Sequence, residues 1–275
     1  MIVRALVPVL AGGVISALLT STLPAQELPG FGQMPRRGIS LPGFSDQQVT
    51  DLVAKLDDLL LRHADPPRRA FDVESYVKDF TDRLLLGTLS PEQEARVLDH
   101  FAALSTRYPS DAQMLDRGQR IIRRLSVGKV APEITGRDLD GVPFKLSDYR
   151  GRVVVLTFSG EWCAACRGDY PFQRLLLELY KDRPLVLLGV NSDRDPRSAK
   201  QSKMDHGLVY RTWWDGGGPK STEGPIAKAW AVSGWPTIYV LDERGIIRFA
   251  NLRQEDLLIG VRQLMDDLRR PIVVQ

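Results

Sequence analysis

Hydrophobic positions in the first half of the chain recur at intervals of three and four residues, the spacing of one face of an α-helix. Four stretches between residues 45 and 125 show this pattern. Their apolar positions are Val49, Leu52, Val53, Leu56, Leu59 and Leu60; Val73, Tyr76, Val77, Phe80 and Leu84; Val97, Leu98, Phe101 and Leu104; and Met114, Leu115, Ile121, Ile122 and Leu125. The pattern predicts an all-α helical region over residues 45–126.

Serine–glutamine pairs stand at the predicted starts of three of these helices. In a capping box, the serine hydroxyl accepts a hydrogen bond from the third helical amide, and the glutamine side chain accepts one from the serine amide. The pairs with this spacing are Ser45 with Gln48, Ser90 with Gln93, and Ser110 with Gln113. Pro91 also occupies the first helical position after Ser90, where proline is favoured. The sequence therefore predicts a capped N-terminus at each of these helices.

After residue 126 the pattern changes to short apolar runs rich in β-branched residues. Val153–Phe158 and Leu185–Val190 have the length and composition of buried strands. Asp140-Gly141, between Ile134–Leu139 and Val142–Leu146, is a strong hairpin signal. Further strands are predicted at Tyr210–Trp214, Thr237–Leu241 and Ile246–Phe249, and helices at Tyr170–Tyr180, Pro196–His206, Pro225–Val232 and 257–268. The combination of crossover and hairpin connections predicts an α/β fold with a central mixed sheet flanked by helices.

The first 25 residues have the pattern of an export signal. Arg4 precedes the apolar run Ala5–Leu19, which is shorter than a typical membrane span. Cleavage after Ala25 would remove this signal peptide, and without cleavage the segment would be an N-terminal anchor. We therefore expect an exported, periplasmic protein, either soluble after cleavage or tethered to the membrane. Residues 26–44, with three prolines and four glycines, are predicted to be a linker.

The overall composition argues against several classes of protein. The 37 Lys and Arg residues are interspersed with 34 Asp and Glu residues and leave a net charge of +3. This distribution does not indicate a basic nucleic-acid-binding surface, so we expect no nucleic-acid partner. Hydrophobic residues make up 43% of the chain and charged residues 26%, which is typical of a globular protein.

Both cysteines of the chain, Cys163 and Cys166, lie between the first buried strand and the helix that follows it. The first turn of a helix has unpaired amides and the positive end of the helix dipole, and thiols there have pKa values lowered to roughly 3.5–7.5. Cys163 would then be a thiolate at neutral pH. Cys166 follows one helical turn later and can close a small disulfide with it. Spacing and position together predict a redox-active pair.

Two alternative roles for the pair fit the sequence less well. A structural zinc site needs four Cys or His ligands, and the three histidines His63, His100 and His206 are scattered singly. An inert structural disulfide would close a loop too short to constrain the unfolded chain much. We expect no metal and no cofactor other than the Cys163–Cys166 disulfide itself.

Several short segments after residue 127 occur in the order found in one known family. They are Gly128–Pro132, the run Phe158–Cys166, Pro171 eight residues after Cys163, and Gly234–Thr237 directly before a predicted strand. On these segments, residues 127–275 resemble a thioredoxin-superfamily domain of the redoxin type, similar to the TlpA/ResA thiol–disulfide oxidoreductases. The resemblance implies a thioredoxin-like fold for these residues, preceded by the all-α helical region.

The resemblance also implies roles for individual residues. Cys163 would be the nucleophile and Cys166 the resolving cysteine of a thiol–disulfide exchange. Pro236 would be a cis-proline that positions a client segment beside Cys163. Four further residues are expected to support the site: Glu161, Trp162, Trp235 and Thr237. For the two tryptophans, plain core packing is the alternative.

Three positions depart from the family pattern. The dipeptide between the cysteines is Ala-Ala, and Trp235 is bulkier than the residue that usually precedes the cis-proline. Thr157 stands where thioredoxins carry a buried acid, six residues before Cys163. Proton transfer to Cys166 would then depend on water or on Glu161.

These observations predict a thiol–disulfide oxidoreductase, and the resemblance implies that it reduces disulfides of exported client proteins or of small molecules. A membrane-bound or exported donor would supply the electrons, and residues 45–126 would either pack on the redoxin domain or dock partners. A peroxidase-type redoxin is an alternative, but Gly160 stands where such an enzyme needs threonine. A copper-chaperone redoxin could use His206, but its cysteines would be one residue further apart. A non-enzymatic scaffold that binds partners through the helical region is the remaining alternative.

Overall fold

The computed structural model describes residues 38–41, 43–62, 66–85, 87–219 and 222–268. The predicted export signal and most of the predicted linker lie outside the described residues, so their boundaries remain predictions. At the end of the linker, the Ile39 amide donates to Gln263 Oε1 (2.9 Å), and the Phe44 amide donates to the Thr88 carbonyl (3.2 Å). Among the helices in these ranges, none has both the length and the apolar character needed to cross a bilayer.

The predicted helical region contains four α-helices, in agreement with the periodicity. They are α1 (Asp46–Arg62), α2 (Pro66–Leu85), α3 (Pro91–Arg107) and α4 (Ala112–Arg124). Their apolar faces meet in a core in which the rings of Phe80 and Phe101 lie 5.2 Å apart. The other fully buried side chains of this core include Leu56, Leu60, Leu84, Leu115 and Ile122. The bundle therefore has a hydrophobic core of its own.

Two of the three predicted capping boxes are confirmed. The Gln48 amide donates to Ser45 Oγ (3.1 Å) and the Ser45 amide to Gln48 Oε1 (2.8 Å). The box of Ser90 and Gln93 has the same two bonds, at 3.2 and 3.0 Å.

The third box, predicted for Ser110 with Gln113, is wrong. Pro109–Asp111 form a 3-10 turn, so the chain is already wound at Ser110 and α4 begins only at Ala112. The Ser110 hydroxyl donates instead to Asp111 Oδ2 (3.2 Å). A capping box needs an extended residue before the first helical turn, and the turn started by Pro109 prevents that conformation.

Residues after 126 form a central sheet flanked by helices. The strands are β1 (Thr135–Arg137), β2 (Pro143–Lys145), β3 (Val153–Ser159), β4 (Leu185–Asn191), β5 (Thr212–Trp214), β6 (Thr237–Leu241) and β7 (Ile247–Ala250). The helices are α5 (Ala164–Arg167), α6 (Tyr170–Leu179), α7 (Pro196–Asp205), α8 (Pro225–Ala229) and α9 (Gln254–Asp267). Each predicted element is present, although β1, β2, β5 and α8 are shorter than expected.

The sheet has the mixed topology that the sequence predicts. Its strand order is β5-β4-β3-β6-β7, in which β3, β4 and β5 are parallel while β6 runs antiparallel to both β3 and β7. Strands β1 and β2 pair separately as an antiparallel hairpin. All seven residues of the central strand β3 are buried, which explains its continuous apolar run. This is the expected thioredoxin-like fold, with the C-terminal end of β3 leading into the cysteine pair.

The helical region and the sheet share part of one hydrophobic core. Leu85 at the end of α2 and Ile121 and Leu125 at the end of α4 belong to the same buried cluster as Trp230 and Val232, which follow α8. The change of pattern at residue 126 therefore separates two cores, and Leu85, Ile121 and Leu125 of the helical region pack into the core of the sheet. The interface brings α2 and α4 against the segment that precedes β6.

Candidate functional site

The cysteine pair forms the first turn after β3. Cys163 is the residue before α5, and its Sγ accepts a hydrogen bond from the Cys166 amide (3.1 Å). The two cysteines are joined as a disulfide, with their Cα atoms 5.2 Å apart. Cys163 is 6% exposed and Cys166 1%, so both cysteines are buried in the disulfide form. Ala164 and Ala165 between them are exposed.

Two separate helices follow Cys163, and the second matches the predicted helix over Tyr170–Tyr180. The four-residue α5 ends at Arg167, and α6 begins only at Tyr170, with Pro171 in its first turn. A helix of one turn has a small dipole, because the macrodipole grows from many aligned peptide groups. The direct hydrogen bond from the Cys166 amide is therefore the main local interaction that favours a thiolate at Cys163.

The segment around Pro236 lies beside this turn. Strand β6 pairs with β3 so that Thr237 is opposite Phe158, which places the preceding residues near the end of β3. The Trp235–Pro236 peptide bond is cis. The rings of Trp162 and Trp235 meet edge to face with centroids 5.8 Å apart, so the two loops are in contact next to Cys163.

Polar contacts hold both loops in place. Trp162 Nε1 donates to Ser192 Oγ (3.3 Å), and Thr237 Oγ1 donates to the Gly234 carbonyl (2.9 Å). Trp162, Trp235, Pro236 and Thr237 are all partly exposed. Trp235 also packs against the core of the sheet, so the two tryptophans lie between that core and the surface around the disulfide.

Glu161 makes contacts that the sequence did not predict. Its Oε1 accepts a hydrogen bond from the Tyr170 hydroxyl (2.5 Å), and its Oε2 lies 3.6 Å from His206 Nε2. Its backbone amide donates to the carboxylate of Asp193 (2.9 and 3.1 Å). Burial is the main cause that raises the pKa of Tyr170, and the hydrogen bond to Glu161 adds to this effect. Glu161 thus belongs to a polar cluster that lies against α6 and α7.

A buried lysine belongs to the same cluster. Lys203 of α7 is 5% exposed, and its Nζ lies 3.5 Å from the centroid of the Tyr210 ring. Burial lowers the pKa of Lys203 to about 7, although the nearby carboxylates of Glu161 and Asp193 oppose this shift. Lys203 is four residues after Ala199, the other buried residue of α7, and this helical spacing could have indicated its burial from the sequence.

Thr157 stands at the position where thioredoxins carry a buried acid. It is fully buried, and its hydroxyl lies 3.4 Å from the Leu188 carbonyl and 3.5 Å from the Tyr210 hydroxyl. The Tyr210 hydroxyl in turn donates to Gln173 Oε1 (2.8 Å). At this position the site therefore has a neutral hydroxyl in contact with other neutral polar groups.

Asp169 is a buried carboxylate that the sequence analysis missed. It is 0% exposed, and its amide donates to the Cys166 carbonyl (3.1 Å), which places it one turn after the second cysteine. Arg253 Nε donates to Asp169 Oδ2 (2.6 Å) and Nη2 to the Ala165 carbonyl (2.9 Å). Burial raises the pKa of the Asp169 carboxyl, while the Arg253 guanidinium and the Gln254 amide oppose the shift. Its position three residues after Cys166, the spacing of neighbours on one face of a helix, could have indicated in the sequence that it lies near the cysteine pair.

Comparison with known proteins agrees with this geometry. The AhpC/TSA family matches residues 127–250, which begin directly after the helical region. The thiol-disulfide oxidoreductase ResA of Geobacillus kaustophilus (strain HTA426) is 30% identical over 124 residues, which cover 45% of this chain and 68% of ResA. The thioredoxin-like protein YneN of Bacillus subtilis (strain 168) is 31% identical over 124 residues, covering 44% of this chain and 68% of YneN.

A solved structure is similar to the same part of the chain. The thioredoxin domain of a thiol-disulfide oxidoreductase from Bacteroides vulgatus is 27% identical, covers 51% of this chain and 98% of that domain, and has a TM-score of 0.46. The relatedness to ResA, together with a Cys-x-x-Cys disulfide at the end of the central strand, identifies the chemistry of the site. The chain belongs to the ResA-like thiol–disulfide oxidoreductases.

Proposed function

We propose that the protein reduces disulfide bonds of exported client proteins by thiol–disulfide exchange through Cys163 and Cys166. The observation that carries this proposal is the disulfide at the start of α5, in which the Cys166 amide donates to Cys163 Sγ. After reduction of the pair, that amide would stabilise a thiolate at Cys163 more than one at Cys166. Cys163 is therefore the nucleophile, and Cys166 is the resolving cysteine.

The reaction has two exchange steps. The Cys163 thiolate attacks one sulfur of the client disulfide, a mixed disulfide forms, and the other client sulfur leaves as a thiolate. The Cys166 thiolate then attacks Cys163 Sγ, the mixed disulfide breaks, and the second client sulfur leaves as a thiolate. The client has gained two electrons and the enzyme has returned to the disulfide form. A dithiol donor, bound to the membrane or exported, must then reduce the pair.

Residues around the pair would bind the client. The exposed Ala164 and Ala165 and the partly exposed Trp162, Trp235 and Pro236 form an apolar surface around Cys163. We assign pairing with an extended client segment to the backbone that flanks Pro236, and support of the loop to Thr237, whose hydroxyl donates to the Gly234 carbonyl. Small-molecule disulfides would use the same nucleophile without this pairing.

The second exchange step requires loss of the Cys166 proton. Asp169 is the proposed acceptor, because it is buried one turn after Cys166 and its pKa is raised by burial. A carboxylate with a raised pKa is a stronger base near neutral pH. Glu161, the acceptor expected from the sequence, has its carboxylate engaged with Tyr170 and His206. Its proposed role is to hold the polar cluster behind the site.

Export is the proposed setting of this reaction, supported by the apolar run and cleavage pattern of residues 1–25. The protein would be soluble after cleavage or tethered by an N-terminal anchor. The reduction potential of the purified pair tests the direction of electron flow. A value near about −270 mV, as in thioredoxin, supports reduction of clients, whereas a value near about −120 mV would assign oxidation instead.

Trapping of the mixed disulfide tests the roles of the cysteines. Cys166→Ser, produced in the exporting cell, should accumulate disulfide-linked species through Cys163 that appear on non-reducing gels and disappear with reductant. Cys163→Ser is the matched control and should trap few, because the remaining thiol is more buried. If Cys166→Ser traps nothing under conditions in which the wild type cycles between redox states, the proposed reduction of client proteins is wrong.

A further inference from the structure

The loop that precedes Pro236 contacts helices that lie outside the part of the chain matched by the AhpC/TSA family. Residues 230–236 connect α8 to β6, and the Trp235 ring at the end of this loop contacts Trp162 beside Cys163. On its other side the loop faces helices α2 and α4. The match to the AhpC/TSA family begins at residue 127, so these two helices lie outside it.

Arg117 of α4 makes the most direct contact with the loop. Its Nη2 and Nε donate to the carbonyl of Ala231, at 3.0 and 3.3 Å, across a separation of 114 residues. Ala231 has a φ of 49°, in the left-handed region that residues with a Cβ rarely adopt. Such a conformation persists only where the surroundings hold it, and Arg117 supplies two of the hydrogen bonds that do so.

Packing at this interface leaves the loop some space. A cavity of about 40 Å³ lies between α2, α4 and the loop, lined by Val77, Thr81, Met114, Ile121 and Ser233 with parts of Lys78 and Arg117. A volume of this size can hold a water molecule. Further along the loop, a Cβ on Gly234 would lie 3.8 Å from Lys78 Cε, an ordinary van der Waals distance. Apolar burial holds Trp230 and Val232 but leaves space beside Ser233, so the polar contact of Arg117 adds to the support of the loop.

We propose that Arg117 is a positioning residue through which the helical region holds the Trp235–Pro236 loop in place for the recognition of protein disulfides. The proposal rests on the proposed function, because that function assigns client pairing to Pro236. It gives the helical region a role in the reaction that goes beyond packing. The planar guanidinium suits this role, because two of its N–H groups reach one carbonyl in a fixed geometry that an ammonium cannot reproduce.

The test compares Arg117→Met with Arg120→Met in the full-length protein. Arg120 lies one turn later on α4 and is exposed, so its substitution makes the same change of charge and size without touching the loop. Each variant is assayed for reduction of insulin, a protein disulfide, and of 5,5′-dithiobis(2-nitrobenzoate), a small disulfide. Arg117→Met should lose about tenfold in kcat/KM for insulin, mainly through KM, because the client-binding loop is misplaced.

The controls separate positioning from a general loss of structure. For Arg117→Met, the rate with the small disulfide and the reduction potential should stay within about twofold and a few millivolts of the wild type, because neither depends on the loop. Arg117→Lys, which keeps a cationic donor group without the planar guanidinium, should recover part of the insulin activity and serves if the methionine variant folds poorly. Arg120→Met should match the wild type with both substrates.

Two results would overturn the inference. Equal activity of Arg117→Met and Arg120→Met on insulin would show that the loop needs no support from α4. Equal losses on insulin and on the small disulfide would show that Arg117 supports the fold in general. By contrast, a wild type that reduces the small disulfide but not insulin would contradict the proposed function itself.

Discussion

At the scale of single residues, Lys203 is a buried amine whose protonation affects stability. Its pKa falls from 10.5 in the unfolded reference to about 7 in the folded protein. Between these values the unfolded chain binds a proton that the folded protein does not, so lowering the pH from 10.5 to 7 favours unfolding. The groups that face it are Glu161, Asp193 and Tyr210.

We expect Lys203→Met to be more stable than the wild type at pH 7, by about 1–4 kcal/mol, because a buried charge is replaced by an apolar side chain. The difference should shrink as the pH rises toward 10. Urea unfolding at pH 7 and pH 9 measures both effects. Lys200→Met is the control on the same helix, since Lys200 is 45% exposed and pairs with Asp140 on the surface. A variant less stable than the wild type at pH 7 would mean that attraction to Glu161 and Asp193 outweighs burial.

Asp169 gives a second prediction at this scale. Asp169→Asn keeps the size of the side chain but cannot accept a proton from Cys166, so the resolving step at neutral pH should slow by about tenfold or more. Rapid-mixing measurements of the decay of the mixed disulfide provide the readout, and attack by Cys163 should change little. Equal decay rates in Asp169→Asn and wild type would contradict the assignment.

A control at Arg253 separates proton transfer from structure. Arg253 is one of the causes that oppose the raised pKa of Asp169, so its removal should raise that pKa further. In Arg253→Met, the pH dependence of the resolving step should therefore move to higher pH. A mainly structural role of Asp169 would lower the rate in both variants without this shift.

Some residues of the site could be predicted from the neighbouring sequence, whereas others depend on partners that are distant in the chain. The roles proposed for Cys163 and Cys166 follow from spacing and from the strand that precedes them. Lys203 lies in α7 and Asp169 directly before α6, and their spacing from Ala199 and Cys166 indicates burial only once the facing elements are known. Glu161 was expected as a proton relay because it is close to Cys163 in the chain, but its partners Tyr170 and His206 come from α6 and the end of α7.

At the scale of elements, removing the serine hydroxyl near the N-terminus of α3 and of α4 should affect stability differently. Ser90→Ala removes the hydroxyl that accepts from the Gln93 amide and should cost about 1 kcal/mol of the free energy of unfolding. Ser110→Ala has the same capping-box spacing in the sequence but should change stability by less than about 0.5 kcal/mol, because no box forms there among the described residues. Urea denaturation of the two variants checks the contrast, and equal losses would contradict it.

The elements themselves were predictable where the periodicity is long or the apolar run is continuous. The fully buried β3 and the four helices of the N-terminal region are of this kind. The errors lie at element ends. Pro109 starts a turn that removes the cap at Ser110, and the chain breaks between α5 and α6 at residues 168–169, so Cys163 faces a one-turn helix. Both outcomes depend on backbone geometry at two or three residues, which apolar spacing does not report.

At the scale of the whole molecule, the helical region and the sheet depend on each other. The apolar positions of α2 and α4 predict burial, but the periodicity does not say which surface will cover them. Leu85, Ile121 and Leu125 contribute to the core on the side of the sheet, next to Trp230. Cutting the chain at residue 126 would expose these contacts on both sides, so a point variant is a better probe of the coupling than a deletion.

Because Leu85, Ile121 and Leu125 of the helical region pack into the core of the sheet, we expect the described part of the chain to unfold as one cooperative unit. All five tryptophans, Trp162, Trp213, Trp214, Trp230 and Trp235, lie after residue 126. Their fluorescence reports the sheet and the site, whereas far-UV ellipticity also reports the helices of residues 45–126. The two probes should therefore give one coincident urea transition in the full-length protein. Ser90→Ala, at the N-cap of α3, should lower the fluorescence midpoint as much as the ellipticity midpoint, although no tryptophan lies in α3. A fluorescence midpoint that stays unchanged while the ellipticity midpoint falls would mean that the helical region unfolds on its own.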